Sequence, residues 1–334
     1  MKVAERNHYL PRFYLKAFLP ATDPKSFWVY DKKGGTPRPQ TPINTGIERH
    51  LYNLENPDGS VGDTLERQVF APLDTAAKSV IDRLLRPRAR LEESDLPKLA
   101  EFLSFMGTRV PRSIRAAQEL GEALACFHVS NLAEKPEEIR KLLSELKGQG
   151  KLFGELTVEE LQKAIEGIDQ DFKLSLNEKV SMLTSLVGAR EIHEELLRMN
   201  WCLCCAHSDA FFICSDSPLV CFVPRPDGTA IFGGGYALLE VEVTFPLSPA
   251  KCLYIDRKHN QRYRALNEDA VKEVNRRTAW AAERFIISTH KCSYVEELLN
   301  WSAGSIDKPR MNRNELFSLF RARARERRED KPTL

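Results

Sequence analysis

The chain has 334 residues, 42% hydrophobic and 29% charged, with a formal net charge of +2. That length allows one large domain or two smaller ones, the composition is that of a globular protein, and the small net charge gives no whole-chain field to attract nucleic acid. No apolar run approaches the roughly 20 residues of a membrane helix, and the opening MKVAERNHY lacks a signal-peptide core, so a cytoplasmic protein with no membrane partner is expected.

From the N-terminus, NHYLPRFYLKAF (7–18) puts Pro11 where a first helical turn tolerates it, with Tyr14, Ala17 and Phe18 on one face. SFWVYD (26–31) predicts a strand closed by a KKGG turn, and 33–63, rich in Pro, Asn, Gly and Thr, predicts mostly loop. Leu65, Val69, Leu73, Ala76, Val80 and Leu84 recur at helical spacing, with Asp63 and Glu66 as an acidic capping box. A second long helix from Ser94 carries Leu99, Leu103, Met106, Val110, Ala117 and Leu124, and Pro111 inside it predicts a kink. Residues 134–168 predict two short charged helices, and 177–198 one long helix. At Trp201 the pattern changes: WCLCCAH and FFICS predict a hairpin, followed by strands in PLVCFV, LEVEVTF and KCLYID. A helix over 267–283, the strand FIIST and a charged helix over 314–328 close the chain.

The fold class expected is α+β, a helical bundle packed against a mostly antiparallel β-sheet. It is expected as a single domain over 1–334, helical over roughly 63–200 and β-rich over roughly 201–290, joined by the N-terminal strand near 26–31. Seven of the eight cysteines lie between Cys202 and Cys292. No C-x-x-C pair occurs, so no structural zinc is expected; Cys202, Cys204 and Cys205 are where a zinc would have to bind. The thiols read instead as small apolar strand residues.

Several polar residues invite a functional reading beside a structural one. His8 and Arg12 flank the expected helix start, where free N–H groups favour an anion; alternatively His8 caps the helix and Arg12 pairs at the surface. Glu66 shares the stripe of Val69, Phe70 and Leu73, and Arg109 follows Phe105 by four and Phe102 by seven, with Arg112 three further on. Charges on apolar stripes must pair, reach a cleft or bind a ligand, so Glu66 and Arg109 form either a buried salt bridge or part of a cleft with His8 and Arg12. In CSDSPLV (214–220), Ser215 and Asp216 make either a side-chain-supported turn or a carboxylate at a sheet rim, where general bases and metal ligands occur. The C-terminal FRARARERRE reads as a solvated helix face. No phosphate loop, nucleophile elbow or dinucleotide fingerprint is present.

These segments, in order, resemble domain of unknown function 4238, a family of bacteria, archaea and fungi with an N-terminal H-Y-V-P signature. The match is His8-Tyr9-Leu10-Pro11, with Leu in place of Val, then Arg109-Val110-Pro111, Ser215-Asp216-Ser217-Pro218 after Cys214 where Thr is frequent, and Pro246-Leu247-Ser248-Pro249. The resemblance implies no activity. It implies that His8, Arg12, Arg109 and Asp216 belong to one site.

Two functions are carried forward. The first is a phosphodiester hydrolase, nuclease-like, such as a defence or toxin effector. Arg12, Arg109, Arg112 and Ser215 would hold phosphate. His8, Asp216 and Glu66 would be the acid–base groups, or the carboxylates would take Mg2+. The second is a non-catalytic module binding nucleic acid, another anionic ligand or a protein partner through the same pocket.

Overall fold

The computed structural model describes residues 5–55, 60–150, 157–166, 175–207, 209–224, 230–232 and 235–303. The chain divides into two compact units, one of 1–114 with 183–308 and one of 115–182 with 309–334. The expected helix over 314–328, with its arginines, lies outside the described residues.

The first unit is α+β. It starts with β1 (Arg6–His8), the five-residue α1 (Arg12–Lys16), β2 (Phe27–Asp31), β3 (Arg38–Gln40) and β4 (Ile47–Arg49). The stretch expected as loop therefore contains short strands. Arg6, Asn7 and His8 of β1 face Arg49, Glu48 and Ile47 of β4 in antiparallel register. The tiny pair β5 (Leu54–Glu55) and β6 (Val61–Gly62) follows.

Gly46 leads into β4 in a left-handed conformation, and its carbonyl accepts the Tyr9 N–H just after β1 at 2.9 Å. Its φ is 67°, and a Cβ there would lie 2.7 Å from the Leu10 Cβ. A left-handed backbone costs a non-glycine residue about 1–2 kcal/mol, and the Leu10 clash adds to it. Gly46→Ala is therefore expected to destabilise by about 2 kcal/mol or more, read as a lower denaturation midpoint.

Residues 65–70 form one wide helical turn, with Ala71 N–H bonding to the Glu66 carbonyl five residues back, before α2 (Ala71–Leu84). No side chain caps this start, so Asp63 and Glu66 form no capping box; Asp63 lies 3.7 Å from Arg67 instead. The box occurs one helix later, where Glu92 and Asp95 cap the entry to α3 (Leu96–Thr108). Pro111 breaks the next helix rather than kinking it. Lacking an N–H, it cannot bond back to the Gly107 carbonyl; the Ser113 hydroxyl donates there at 2.5 Å, and α4 (Pro111–Ala133) starts afresh.

In the second unit, the later part of α4 is followed by α5 (Pro136–Gly148) and α6 (Val158–Glu166), the two short helices expected over 134–168. Thr157 and Glu160 cap α6 reciprocally. The expected long helix over 177–198 is split at Gly188 into α7 (Glu178–Val187) and α8 (Ala189–Leu197).

The β-rich half of the first unit holds β7 (Asn200–Ala206), β8 (Cys214–Ser215), β9 (Val220–Pro224), β10 (Ala230–Phe232), β11 (Glu242–Ser248), β12 (Lys251–Asp256), β13 (Tyr263–Leu266), α9 (Glu268–Ala281), β14 (Phe285–Ser288) and α10 (Ser293–Ala303). A six-stranded sheet runs β10-β9-β11-β12-β7-β13, and a four-stranded one β3-β2-β14-β8. All pairings are antiparallel except β13 on β7. WCLCCAH and FFICS do not pair as a hairpin. β7 bonds to β12, whereas β8 bonds to β14. The fully buried Asn275 of α9 fastens the segment before β8: its amide oxygen accepts from Ile213 N–H at 3.0 Å and its amide nitrogen donates to the Phe211 carbonyl at 2.8 Å.

Apolar clusters flank α9 on both sides. Cys202, Cys204, Phe212 and Cys252 pack with its Val271 and Val274, while Tyr30, Ile213 and Ile286 pack with Ala279 and with Leu298 of α10. The cysteines there are free and mostly buried, as small apolar residues are. Among the described residues, no helix is long and apolar enough to cross a membrane.

Candidate functional site

All the nominated residues belong to the first unit, and the structure sorts them into three groups. The first surrounds Arg109. Its side chain is fully buried at the end of α3, with the guanidinium over the rings of Phe70 and Phe102 at 5.4 and 5.7 Å. Its ion-pair partner is Asp74, at 3.0 Å, not Glu66. Glu66 is close enough to feel both Arg109 and Asp74, yet its Oε2 is buried without a partner, and burial raises its pKa against the pull of Arg109. The wide turn at 65–70 moves Glu66 off the register that regular helical spacing assigns it, and Asp74, one regular turn beyond Phe70, takes the pairing position. Burial also raises the Asp74 pKa, opposed by Arg109. Tyr52 closes this group by donating its hydroxyl to the Arg109 carbonyl at 2.7 Å.

The second group surrounds Asp216. It is 2% exposed, and its two oxygens accept the backbone N–H groups of Glu283 and Arg284 at 2.8 and 2.7 Å. The carboxylate thus fastens the turn between α9 and β14. Lys32, just past β2, fastens the same turn by donating to the Ala282 carbonyl at 2.7 Å. Burial pushes the Asp216 pKa up to about 6, against the two N–H bonds. The Ser215 hydroxyl, fully buried, accepts the Ser217 N–H at 3.2 Å. This is the side-chain-supported turn that Ser and Asp favour before proline.

Tyr9 stands between these two groups. Its environment contains Asp216, Arg284, Glu48 and Glu283, while that of Tyr52 contains Arg109, Glu66, Tyr9 and Asp74. Burial holds both phenols protonated. Asn7, in the same segment, accepts the Tyr52 N–H, leaving its own amide nitrogen buried and unpartnered.

The third group comprises His8 and the arginines beside it. Arg12 is exposed, with no hydrogen bond or ion pair to a described residue. His8 is half-buried, and its Nε2 has no partner. Burial lowers its pKa, Arg12 and Arg6 push the same way, and the carbonyls of Ile43 and Pro42 push back. His8 does not cap α1, whose N-cap is Pro11. Arg12 and Arg109 share an aromatic neighbourhood, since Phe13 lies 5.8 Å from Phe102, but one guanidinium faces solvent and the other is enclosed. Arg112 is also turned inward, donating to the Ala281 carbonyl and lying over the Trp280 ring at 5.1 Å.

A family model described as "Protein of unknown function (DUF4238)" matches residues 6–291. The chain belongs to this family. The DUF4238 match runs from β1 to just past β14 and takes in all three groups. No curated protein and no solved structure matches the chain.

Within this DUF4238 chain, motif segments meet through Tyr14. Its hydroxyl donates to the Pro246 carbonyl at 2.8 Å and lies 3.2 Å from the Cys214 sulfur, and its ring stacks on Phe245 at 4.9 Å. Among the described residues, no group of three or more His, Cys, Asp or Glu side chains is placed to hold a metal ion.

Sequence reasoning did not nominate Asp74, Tyr9, Tyr52 or Lys32. The signal for Asp74 was available: it follows Phe70 by four and precedes Ala77 by three and Ile81 by seven, the same stripe logic that picked Glu66. Lys32 gives no such signal, because the turn it fastens is 250 residues away.

Proposed function

We propose that this protein is a non-catalytic module that binds an anionic, phosphate-bearing ligand, such as a single-stranded nucleic acid, through the surface around His8 and Arg12. The observation that supports it is how the cations are used. Arg109 and Arg112 commit their guanidiniums to internal partners, whereas Arg12 is exposed and has none among the described residues. Arg6 acts on His8 together with Arg12, and Arg49 faces Arg6 across β1 and β4. Arginine forks hold phosphate well, and a local patch suffices even where net charge is small.

The test is fluorescence anisotropy with a labelled single-stranded oligonucleotide across a salt series. Arg12→Ala is expected to weaken binding severalfold and to reduce the salt slope by about 0.7–1, with no loss of stability. Unchanged affinity would overturn the proposal.

One observation favours hydrolysis as a second reading. Burial holds His8 below its usual pKa, leaving an imidazole able to accept a proton at neutral pH beside Arg12. Incubation of DNA and RNA with the protein, with and without Mg2+ or Mn2+, separates the two. Cleavage that His8→Ala abolishes would carry the hydrolase; the proposed module cuts nothing.

A further inference from the structure

A cavity of about 450 Å³ lies on the far part of the first unit's β-rich half, where α9 and α10 both begin. That volume is within the range of small-ligand sites, about 300–1,000 Å³. None of the residues discussed above as anion-binding contributes to it. Two aromatic side chains form its walls, Phe211 and Tyr294, with ring centroids 6.2 Å apart at 86°. Their positions are fixed from beneath. Asn275, fully buried, donates its amide both to the Phe211 carbonyl at 2.8 Å and to the Tyr294 hydroxyl at 3.2 Å. The cavity is thus held open by a satisfied buried amide rather than left by loose packing, and the Tyr294 hydroxyl keeps its own proton to donate.

The charge at the rim decides what fits. Glu268 and Lys272 form an ion pair at 2.6 Å and cancel. Asp209 and Glu297 line the same cavity and have no ion-pair partner among the described residues. Two helix N-termini also point here, each worth roughly half a positive charge. The balance stays negative, by about one charge. An aromatic ring in the lining adds attraction for a cation that reaches its face.

We propose that this cavity binds a small organic amine, its apolar body against the edge-to-face pair of Phe211 and Tyr294 and its ammonium group at Asp209 and Glu297. The site is separate from the anion-binding surface, so it stands whether or not that reading holds.

Two probes of matched shape and opposite charge test it by ligand-observed NMR and calorimetric titration: 2-phenylethylammonium and 3-phenylpropionate. The expected result is saturable binding of the amine and none of the acid. Asp209→Asn with Glu297→Gln, both at exposed positions and neutral in shape, should weaken the amine about three- to tenfold without moving the melting temperature. Phe211→Ala should weaken it further. Three outcomes would overturn the proposal: equal binding of the carboxylate, no saturable amine binding up to about 10 mM, a ceiling near the weakest site worth the name, or an amine affinity untouched by the double substitution.

Discussion

Arg109→Ala is expected to lower the stability of the folded chain by about 3–5 kcal/mol, the range for removing one member of a buried ion pair. The side chain is 0% exposed. Its removal strips Asp74 of its counter-charge, empties the space over the Phe70 and Phe102 rings, and leaves Glu66 beside a second uncompensated carboxylate. Lysine would not substitute well, because a single ammonium cannot both reach Asp74 and lie flat on two rings. Urea denaturation reads the effect as a lower midpoint at unchanged slope. A loss under about 1 kcal/mol would mean that Arg109 is not structural.

Asp216→Ala comes next in size, at about 3 kcal/mol, since it leaves two part-buried N–H groups, those of Glu283 and Arg284, without an acceptor. Its pH dependence is more telling. The folded-state pKa is raised to about 6 from an ordinary 3.8, so the folded chain holds that proton more tightly than the unfolded one. The linked stability is fully present below about pH 4 and is lost as the pH rises through about 6, by about 3 kcal/mol in total. Asp216→Asn removes the titrating group. Wild-type stability minus that of the Asn variant should therefore fall between pH 4 and pH 7, measured as denaturant midpoints. A difference that stays flat would show that Asp216 titrates normally.

Period and punctuation carried much of this fold. The strands at 27–31, 251–256 and 285–288 and the helix at 268–281 stand where the apolar runs, the KKGG turn and the return to a helical pattern after residue 267 put them. Long-range choices were not legible. FFICS pairs with β14, far on in the chain, rather than with its neighbour, and the Asn275 amide bonds to Ile213 and Phe211 within it. Pro111 reads as a kink or a break depending on whether a hydroxyl such as Ser113 can take over the abandoned carbonyl. In the candidate site, stripe logic located Arg109 correctly as a charge in the interior, but it chose Glu66 as partner because the wide turn at 65–70 is invisible to a count of 3.6. The Ser-Asp-x-Pro segment was legible as a turn; that its carboxylate fastens a second turn, 67 residues away, was not.

The division between enclosed arginine and ligand-facing arginine is tested most directly by the double variant Arg109→Met, Asp74→Leu. Removing both charges of a buried pair in favour of apolar residues is often neutral for stability, and burial already raises the Glu66 pKa against the pull of Arg109. The measurement is oligonucleotide anisotropy on this variant once its melting curve confirms a cooperative fold. The expected result is wild-type affinity, with Arg12→Ala on the same background still weakening it. A folded double variant that no longer binds would place Arg109 in the ligand site and contradict the division.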